Sequence, residues 1–249
     1  MAKLSLSEVR KYVKQNIGSF HHSRVEGLKK LKLADVLLKK NPYLFKAKNI
    51  LSAQDLVKGI VDAHISSQEE TIFGAFLEGL AVYVCNIVFS GRKSAAVGID
   101  LEFEREKVIY IITIKSGTNW ANGSQISKMK EDFRKAKKIL GTNTSKKNIV
   151  AVNGCCYGRI NNIDKGEYLK IAGQKFWEFI SDDTELFIEI IEPLGYQAKE
   201  RNEEFIKSYY QLLNQFTLQF ANEFCVEGII DWSKLVRFNS GEEKIKVNI

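Results

Sequence analysis

Proline, cysteine and histidine are scarce in this 249-residue chain, which contains two, four and three of them. Because the prolines are isolated, at Pro42 and Pro193, no proline-rich linker divides the sequence. The cysteines form no C-x-x-C pair and the histidines lack zinc-binding spacing, which argues against a zinc site and a disulfide framework. Scattered, reduced cysteines are typical of the cytoplasm, where we expect the protein to reside.

Long apolar runs are missing as well. The longest one, residues 79–89, is shorter than the roughly 20 residues that a membrane-spanning helix needs. The first five residues lack the features of a signal peptide, and no motif for a nucleotide or another small-molecule cofactor occurs. We therefore expect no membrane partner and no small-molecule cofactor.

The residues that are present predict a folded, basic protein. The chain is 45% hydrophobic and 11% aromatic, which is ample material for a core and excludes a disordered class. Lysine and arginine total 37 against 30 acidic residues, so the formal net charge is +7. A basic balance of this kind favours a polyanionic partner.

The apolar pattern predicts a single domain, residues 1–249, with three zones. Residues 1–91 and 173–249 show helical periodicity, whereas residues 92–172 contain β-branched runs. The last helix has an aromatic row that we expect in the core, with a subunit interface as the alternative. Two helices are predicted to start at Ser7 and at Ala53. A helical segment at 28–37 is followed by a stop signal at Asn41-Pro42. Further helices are predicted at 69–89, 174–180, 184–191 and 199–224.

The middle zone predicts the sheet. Residues 97–104 alternate between apolar and polar side chains, and residues 108–114 are almost entirely apolar, so two strands joined by a turn at Arg105-Glu106 are expected. A helix at 124–140 and a strand at 148–157 follow. This order predicts an α/β (α+β) fold, in which helices flank a mixed sheet.

Asp100 and Lys115 are predicted to project from one face of this hairpin. Side chains alternate along a strand, and pairing Glu104 with Lys107 places Asp100 opposite Ile111, which has the same parity as Lys115. Charged side chains are rarely buried without partners, and carboxylate oxygens suit Mg²⁺, so a divalent metal would explain the arrangement. A solvated polar face that ends in a lysine is the alternative.

Four stretches carry a resemblance to a known family. They are Gly98-Ile99-Asp100, the run Ile-Lys-Ser-Gly-Thr-Asn-Trp-Ala-Asn-Gly-Ser-Gln at 114–125, and segments at 71–78 and 151–158. In these stretches the sequence resembles the PD-(D/E)XK nuclease superfamily, and more closely its type II restriction endonucleases. The resemblance implies a restriction-endonuclease-like core, with Asp100 as a ligand of Mg²⁺ and Lys115 positioning or deprotonating the attacking water.

The sequence departs from the family pattern at Thr113. Most members carry an aspartate or glutamate two residues before the lysine, and a threonine hydroxyl is a poor metal ligand. Glu78 and Glu102 are the two candidates for the missing ligand. We favour Glu78, because the apolar face of its helix must pack inward and leaves this carboxylate at the edge of the core, where a metal would satisfy it.

The resemblance also suggests roles for residues that follow Lys115. Gln125 would hold the lysine or a phosphate, although an ordinary glutamine in the first turn of a helix is the alternative. Trp120 would contact DNA or, alternatively, anchor its loop by packing. The predicted DNA contacts in this segment are Ser116, Asn119, Trp120 and Asn122.

Two basic clusters fit a DNA partner. Residues 123–150 contain eight lysines and arginines against two acidic residues, and so do residues 24–48. Such clusters can bind the phosphate backbone, although solvated helix faces are the alternative. The predicted phosphate contacts of the first cluster are Lys128, Lys130, Arg134 and Lys137.

The function implied by the resemblance is Mg²⁺-dependent, sequence-specific cleavage of double-stranded DNA that leaves 5′-phosphate ends. Cleavage of palindromic sites would make a homodimer the natural form. Two alternatives stay open. One is a nuclease of the same fold that recognises DNA structure in repair or recombination. The other is a DNA-binding module that is inactive because of Thr113.

Overall fold

The computed structural model describes residues 4–143 and 148–242. Its contacts group the chain into two compact units: unit 1 comprises Met1–Gly18 and Phe73–Tyr196, and unit 2 comprises Ser19–Ile72 and Gln197–Ile249. Unit 1 contains the large sheet and unit 2 is mainly helical. The single domain expected from the sequence stays a prediction.

The described elements follow the predicted sequence of helical, mixed and helical zones. In chain order they are α1 (Leu6–Lys30), α2 (Leu33–Leu38), α3 (Pro42–Ala47), α4 (Ala53–Phe89), β1 (Leu101–Arg105), β2 (Val108–Lys115), α5 (Gly123–Asn143), β3 (Asn148–Cys155), β4 (Leu169–Ala172), α6 (Gln174–Ser181), α7 (Leu186–Glu189), α8 (Ile191–Leu194), α9 (Ala198–Phe224), β5 (Cys225–Val226), β6 (Ile229–Ile230) and α10 (Trp232–Ser240).

The start of α1 differs from the prediction, because Ser5 and not Ser7 caps the helix. The backbone N–H of Glu8 donates to Ser5 Oγ at 3.4 Å, and the Glu8 carboxylate accepts from the Ser5 N–H at 2.9 Å. This reciprocal pair is a capping box, which satisfies two backbone donors that helix formation would leave unpaired.

The helix predicted at 28–37 is wrong, since α1 ends at Lys30 and α2 begins at Leu33. Apolar side chains on both sides of the break belong to one core cluster, so the periodicity conceals the break. Asn41-Pro42, predicted as a stop, begins α3: the Asn41 side chain accepts from two backbone N–H groups, and proline is suited to the first helical turn.

The two helices predicted at 53 and 69–89 are one continuous helix, α4. Its interior contains no proline, and both ends of the helix contribute buried apolar residues to a core. By length and composition alone α4 could cross a membrane, with a mean hydropathy of 1.9 over its most apolar window. That criterion is weak evidence, because the core helix of a soluble protein meets it as well.

The large sheet in unit 1 has the strand order β1-β2-β3-β4. β1 pairs antiparallel with β2, whereas β2, β3 and β4 are parallel, so the sheet is mixed. This confirms the predicted α/β fold and the order strand, strand, helix, strand. The four-residue β4 was missed, because it is too short to show a period of its own.

Helices cover both faces of this sheet. On one face, Met129 and Phe133 of α5 cluster with Ile111 of β2 and Ala151 of β3. On the other face, the Phe103 ring of β1 stacks on Phe89 of α4 and meets Phe179 of α6 edge-on. The sheet is therefore exposed to solvent mainly at its edges and at its strand ends, and Asp100 and Lys115 lie at such ends.

The register of the hairpin differs from the prediction by two residues. Arg105 pairs with Val108, and the turn residues Glu106 and Lys107 have φ angles of 53° and 64°. Two successive left-handed residues match the natural twist of a two-residue hairpin. Glutamate and lysine are not the residue types that usually mark such a turn, so the sequence contains no signal for it. Asp100 therefore lies opposite Thr113 and not Ile111, while the predicted parity with Lys115 is retained.

The core of unit 2 confirms the prediction for the aromatic row of α9. Phe205, Leu212, Phe216 and Phe220 are buried in one cluster with residues of α2 and α4. The helix predicted at 184–191 is two short helices, α7 and α8.

Candidate active site

Asp100 is fixed at the start of β1 by hydrogen bonds to the neighbouring strand. Its Oδ2 atom accepts from the backbone N–H of Ile114 at 2.7 Å and from the Thr113 hydroxyl at 3.2 Å. Its own N–H donates to the Ile112 carbonyl oxygen at 2.8 Å. Thr113, which stands where a second acid was expected, therefore holds the first acid in place.

The approach to Asp100 requires a glycine. Gly98 has a φ of 77°, and a Cβ atom there would lie 2.6 Å from a carboxylate oxygen of the buried Asp132. A larger residue would suffer both backbone strain and a collision. This local constraint explains why a glycine occupies position 98, two residues before Asp100.

Glu78 lies close enough to Asp100 for the two carboxylates to interact. Its side chain is half-buried on α4, and no described residue forms a hydrogen bond or ion pair with it. The pKa of Glu78 is raised, first by burial and then by the negative charge of Asp100, while Lys93 and Lys115 act in the opposite direction. Burial with a like charge destabilises the ionised form, and a bound cation would relieve both effects.

Glu102 has partners of its own. One carboxylate oxygen accepts from the Arg92 guanidinium at 2.6 Å, and the other accepts from the Ser94 hydroxyl at 2.9 Å. A backbone bridge between Arg92 and Glu102 supports the pair. Glu102 therefore has a local structural role, whereas Glu78 forms no such pair with any residue that the structure describes.

Lys115 is the last residue of β2 and lies near the carboxylates of Asp100 and Glu78. It shares a strand face with Thr113, and its charge offsets part of the rise in the pKa of Glu78 that burial and Asp100 cause. The Lys115 Nζ atom lies 5.4 Å from the centre of the Trp120 ring, which is within the range of a cation–π interaction. The structure thus brings together Asp100, Lys115 and Glu78, three of the four predicted catalytic residues.

Gln125, the fourth, lies in a helix cap. Its side-chain oxygen accepts from the Asn122 N–H at 2.9 Å, and the Asn122 side chain accepts from the Gln125 N–H at 3.1 Å. This capping box gives Asn122 and Gln125 a structural role at the start of α5. Ser116 is half-buried and its hydroxyl lies against Gly74 of α4, whereas Asn119 is exposed.

Asn153 is a site residue to which sequence reasoning gave no role. It is buried on β3 directly beside Thr113, and its side chain accepts from Trp120 Nε1 at 3.1 Å. Its side-chain amide also donates to the Thr113 carbonyl oxygen at 3.4 Å. An asparagine in the buried half of β3, among apolar residues, was the available signal, because such a residue needs partners.

Acidic neighbours already pair with most of the basic side chains predicted on α5. Lys130 and Arg134 bind the same carboxylate, Glu167, at 3.2 and 2.6 Å, and Lys128 lies 3.6 Å from Asp132. Lys137 is half-buried. Lys146 and Lys147 of the same cluster lie outside the described residues.

In the second cluster, Arg24 is also engaged in structure. It pairs with Glu69 at 2.5 Å, and its guanidinium group lies 3.9 Å from the centre of the Phe205 ring. This arginine therefore stabilises unit 2 and is not freely available to a nucleic acid.

The donor set fits a hard divalent cation that retains water. Across residues 4–143 and 148–242, no group of three or more histidine, cysteine, aspartate or glutamate side chains forms a cage. Mg²⁺ typically takes one or two carboxylates and completes its shell with water and phosphate oxygens. Asp100 and Glu78 supply such a pair.

A comparison with known families identifies the chain. Residues 7–202 match the sequence model of the family described as Type II restriction endonuclease EcoO109I. The chain belongs to this family. It is therefore a type II restriction endonuclease, a site-specific deoxyribonuclease that acts on DNA, as the resemblance implied. The chain matches no curated protein sequence.

The match to the EcoO109I family includes the whole candidate site. Glu78, Asp100, Lys115 and Asn153 all fall within residues 7–202, as do the sheet and α5. The match favours restriction over the two alternatives, a repair nuclease and an inactive DNA-binding module. Enzymes of this class generally use a divalent metal, in agreement with the donor set.

Proposed function

We propose that this restriction endonuclease hydrolyses phosphodiester bonds of double-stranded DNA in a Mg²⁺-dependent reaction that leaves 5′-phosphate and 3′-hydroxyl ends. The proposal depends on one observation. Two carboxylates, Asp100 and Glu78, interact beside the ammonium group of Lys115 at the end of the catalytic strand. Acid pairs next to a lysine are suited to in-line attack by water on a phosphate.

Asp100 and Glu78 would hold the Mg²⁺. Both hydrogen bonds described for the Asp100 carboxylate go to Oδ2, which leaves Oδ1 for a cation. Glu78 has no hydrogen-bonded or ion-paired neighbour among the described residues, and its raised pKa reflects burial and the charge of Asp100. The bound ion would supply an activated water and charge neutralisation at the phosphate.

Lys115 would act on the water and on the phosphate. Its flexible side chain places a compact positive charge at the end of β2, on the face that also carries Thr113. There the ammonium group can orient the attacking water and stabilise the negative charge that builds up on the phosphate oxygens. Thr113 contributes by holding Asp100, through its hydroxyl group.

Two further properties belong to this proposal. A homodimer is proposed because a two-fold arrangement of identical sites suits cleavage of both strands of a palindrome. A cytoplasmic location and the absence of a small-molecule cofactor are also proposed, and the scattered cysteines and the lack of cofactor motifs support them.

Digestion of a long DNA of known sequence tests the proposal. Incubation with Mg²⁺, followed by sequencing of the ends, should give discrete fragments with 5′-phosphates at one recurring sequence, whereas EDTA should abolish cleavage. Replacement of Mg²⁺ by Ca²⁺ should allow binding without turnover. Cleavage that persists in EDTA, or ends that carry 3′-phosphates, would contradict the proposed chemistry. Light scattering would check the dimer independently.

A further inference from the structure

Trp120 is the only described partner that orients the Lys115 side chain directly. The Lys115 Nζ atom lies 5.4 Å from the centre of the Trp120 ring, and among residues 4–143 and 148–242 it forms no side-chain hydrogen bond or ion pair. A lysine side chain has about four rotatable bonds along its four-carbon stem, so without a neighbour it samples many rotamers. The aromatic ring therefore limits where the ammonium group can be.

Asn153 in turn fixes the ring. Trp120 Nε1 can only donate, so the Asn153 oxygen must face it, and the 3.1 Å distance fits that bond. The amide nitrogen of Asn153 then faces the Thr113 carbonyl oxygen at 3.4 Å. Asn153 is 1% exposed, so water cannot replace either partner. The opposite orientation of the amide would satisfy neither bond.

These contacts link the lysine back to the acid. Thr113 donates to Asp100 through its hydroxyl and accepts from Asn153 through its carbonyl, and Asn153 holds the ring beside Lys115. Trp120 also packs against the cluster of α5 and β2, which immobilises it further. The lysine and the carboxylate are thereby placed by one continuous network that comprises β2, β3 and the loop after β2.

We infer that Trp120 is a positioning residue for Lys115, and that Asn153 fixes Trp120 for this purpose. The inference rests on the proposed role of Lys115 in cleavage. Trp120 thus acts on the rate of the chemical step through the lysine, and not on DNA affinity. A small displacement of a reacting group can lower a rate by about a hundredfold, so loss of the ring should be measurable.

The test separates binding from chemistry in the full-length protein. Three variants are compared with the wild type: Trp120→Phe, Trp120→Leu and Asn153→Leu. Dissociation constants are measured in Ca²⁺, and single-turnover cleavage in Mg²⁺ at saturating protein. Trp120→Leu should lower the cleavage rate about tenfold or more and leave the dissociation constant within about twofold. Trp120→Phe keeps an aromatic face and should recover part of the rate.

A second aromatic pair of unit 1 supplies the matched control. Lys14 Nζ lies 5.4 Å from the centre of the Tyr196 ring, the same distance as in the pair of Lys115 and Trp120. Tyr196→Leu should leave cleavage unchanged. Thermal unfolding of every variant checks the fold, and Trp120→Phe keeps the test decisive if Asn153→Leu fails to fold.

Three outcomes would overturn the inference. A wild-type cleavage rate in Trp120→Leu would do so, and so would weaker DNA binding with an unchanged single-turnover rate, which would make Trp120 a DNA contact. In both cases an inactive Lys115→Ala variant leaves the proposed function intact. Normal cleavage by Lys115→Ala would instead remove the proposed role of the lysine and this inference together.

Discussion

The carboxylate oxygen Oδ2 of Asp100 accepts a 2.7 Å hydrogen bond from the backbone N–H of Ile114. Because Ile114 directly precedes Lys115, the acid is tied to the strand backbone one residue before the lysine. The carboxylate of Asp100 and the backbone of Lys115 therefore keep their relative position, while Trp120 limits where the ammonium group lies. A preorganised pair of this kind avoids reorganisation during the reaction.

Asp100→Asn and Lys115→Ala should each reduce cleavage by about 10²-fold to 10³-fold or more, because each removes a charge that the reaction needs. Single-turnover cleavage in Mg²⁺ measures the loss, and thermal unfolding shows whether the fold persists. DNA binding in Ca²⁺ should be retained. Glu106→Gln, at the exposed turn of the same hairpin, is the control. Near-normal cleavage by either site variant would refute the assignment.

Glu78→Gln should lose cleavage and Mg²⁺ dependence in parallel, whereas Glu102→Gln should keep most of its activity. The reason is that Arg92 and Ser94 already occupy the Glu102 carboxylate, while Glu78 faces the charge of Asp100. Glu102→Gln should instead cost about 0.5–1 kcal/mol of stability, since its ion pair is largely exposed on the arginine side.

Titration of the cleavage rate with Mg²⁺ distinguishes these two variants, with Glu70→Gln, exposed on the same helix, as the control. Loss of activity in Glu102→Gln together with an active Glu78→Gln would move the second ligand to the hairpin. Activity in both Glu78→Gln and Glu102→Gln would mean that backbone carbonyls and water complete the coordination shell of Mg²⁺.

Glu167 makes a test of the basic face of α5 possible. It pairs with Lys130 and Arg134, and these hydrogen bonds lower the pKa of Glu167. If α5 binds phosphates, DNA must replace Glu167, so Glu167→Gln should tighten binding to all sequences. Replacing Lys130, Arg134 and Lys137 with alanine should weaken DNA binding. It should also reduce the slope of log K against the logarithm of the salt concentration by about 2 to 3.

Fluorescence anisotropy over a range of salt concentrations, in Ca²⁺, measures both effects. The control is Lys135→Ala, a lysine of the same helix that pairs with Glu131 instead. Unaltered binding in the triple variant would show that this face of α5 is solvated and does not contact DNA.

Tyr209→Phe should destabilise the protein by about 1 kcal/mol, because it removes a hydrogen bond to the carboxylate of Asp62, which is partly exposed and keeps its ion pair with Lys58. The Tyr209 hydroxyl donates to Asp62 at 2.6 Å within unit 2. Burial and this hydrogen bond raise the pKa of Tyr209 to about 12. Chemical denaturation near pH 8 measures the difference, and Tyr210→Phe, an exposed neighbour, is the control.

The same pair predicts a dependence on pH. A tyrosine whose pKa is raised in the folded state contributes its stability fully below the unfolded pKa of about 10, and loses it as pH rises toward 12. The difference in unfolding free energy between wild type and Tyr209→Phe should therefore shrink above about pH 10. A difference that stays constant up to pH 12 would contradict this linkage.

Much of the fold could be predicted because its signals are local. The apolar run of β2, the amphipathic α5 and the aromatic row of α9 follow directly from period and composition. Helix boundaries were less predictable, since the break between α1 and α2 and the continuity of α4 depend on packing within a core and not on breaker residues. The hairpin register was shifted for a similar reason, because no turn signal marks Glu106 and Lys107.

The sequence by itself determined the polar pair of the site, because alternation along two strands places Asp100 and Lys115 on one face both in the predicted register and in the observed one, which differs from it by two residues. Only the tertiary structure decided which second acid joins them. Glu78 is 22 residues distant from Asp100 in sequence, and its approach depends on how α4 packs beside the sheet. The same holds for Asn153, whose partners Trp120 and Thr113 come from separate segments. Sequence pattern fixes the face on which a side chain lies, whereas long-range packing fixes its neighbours.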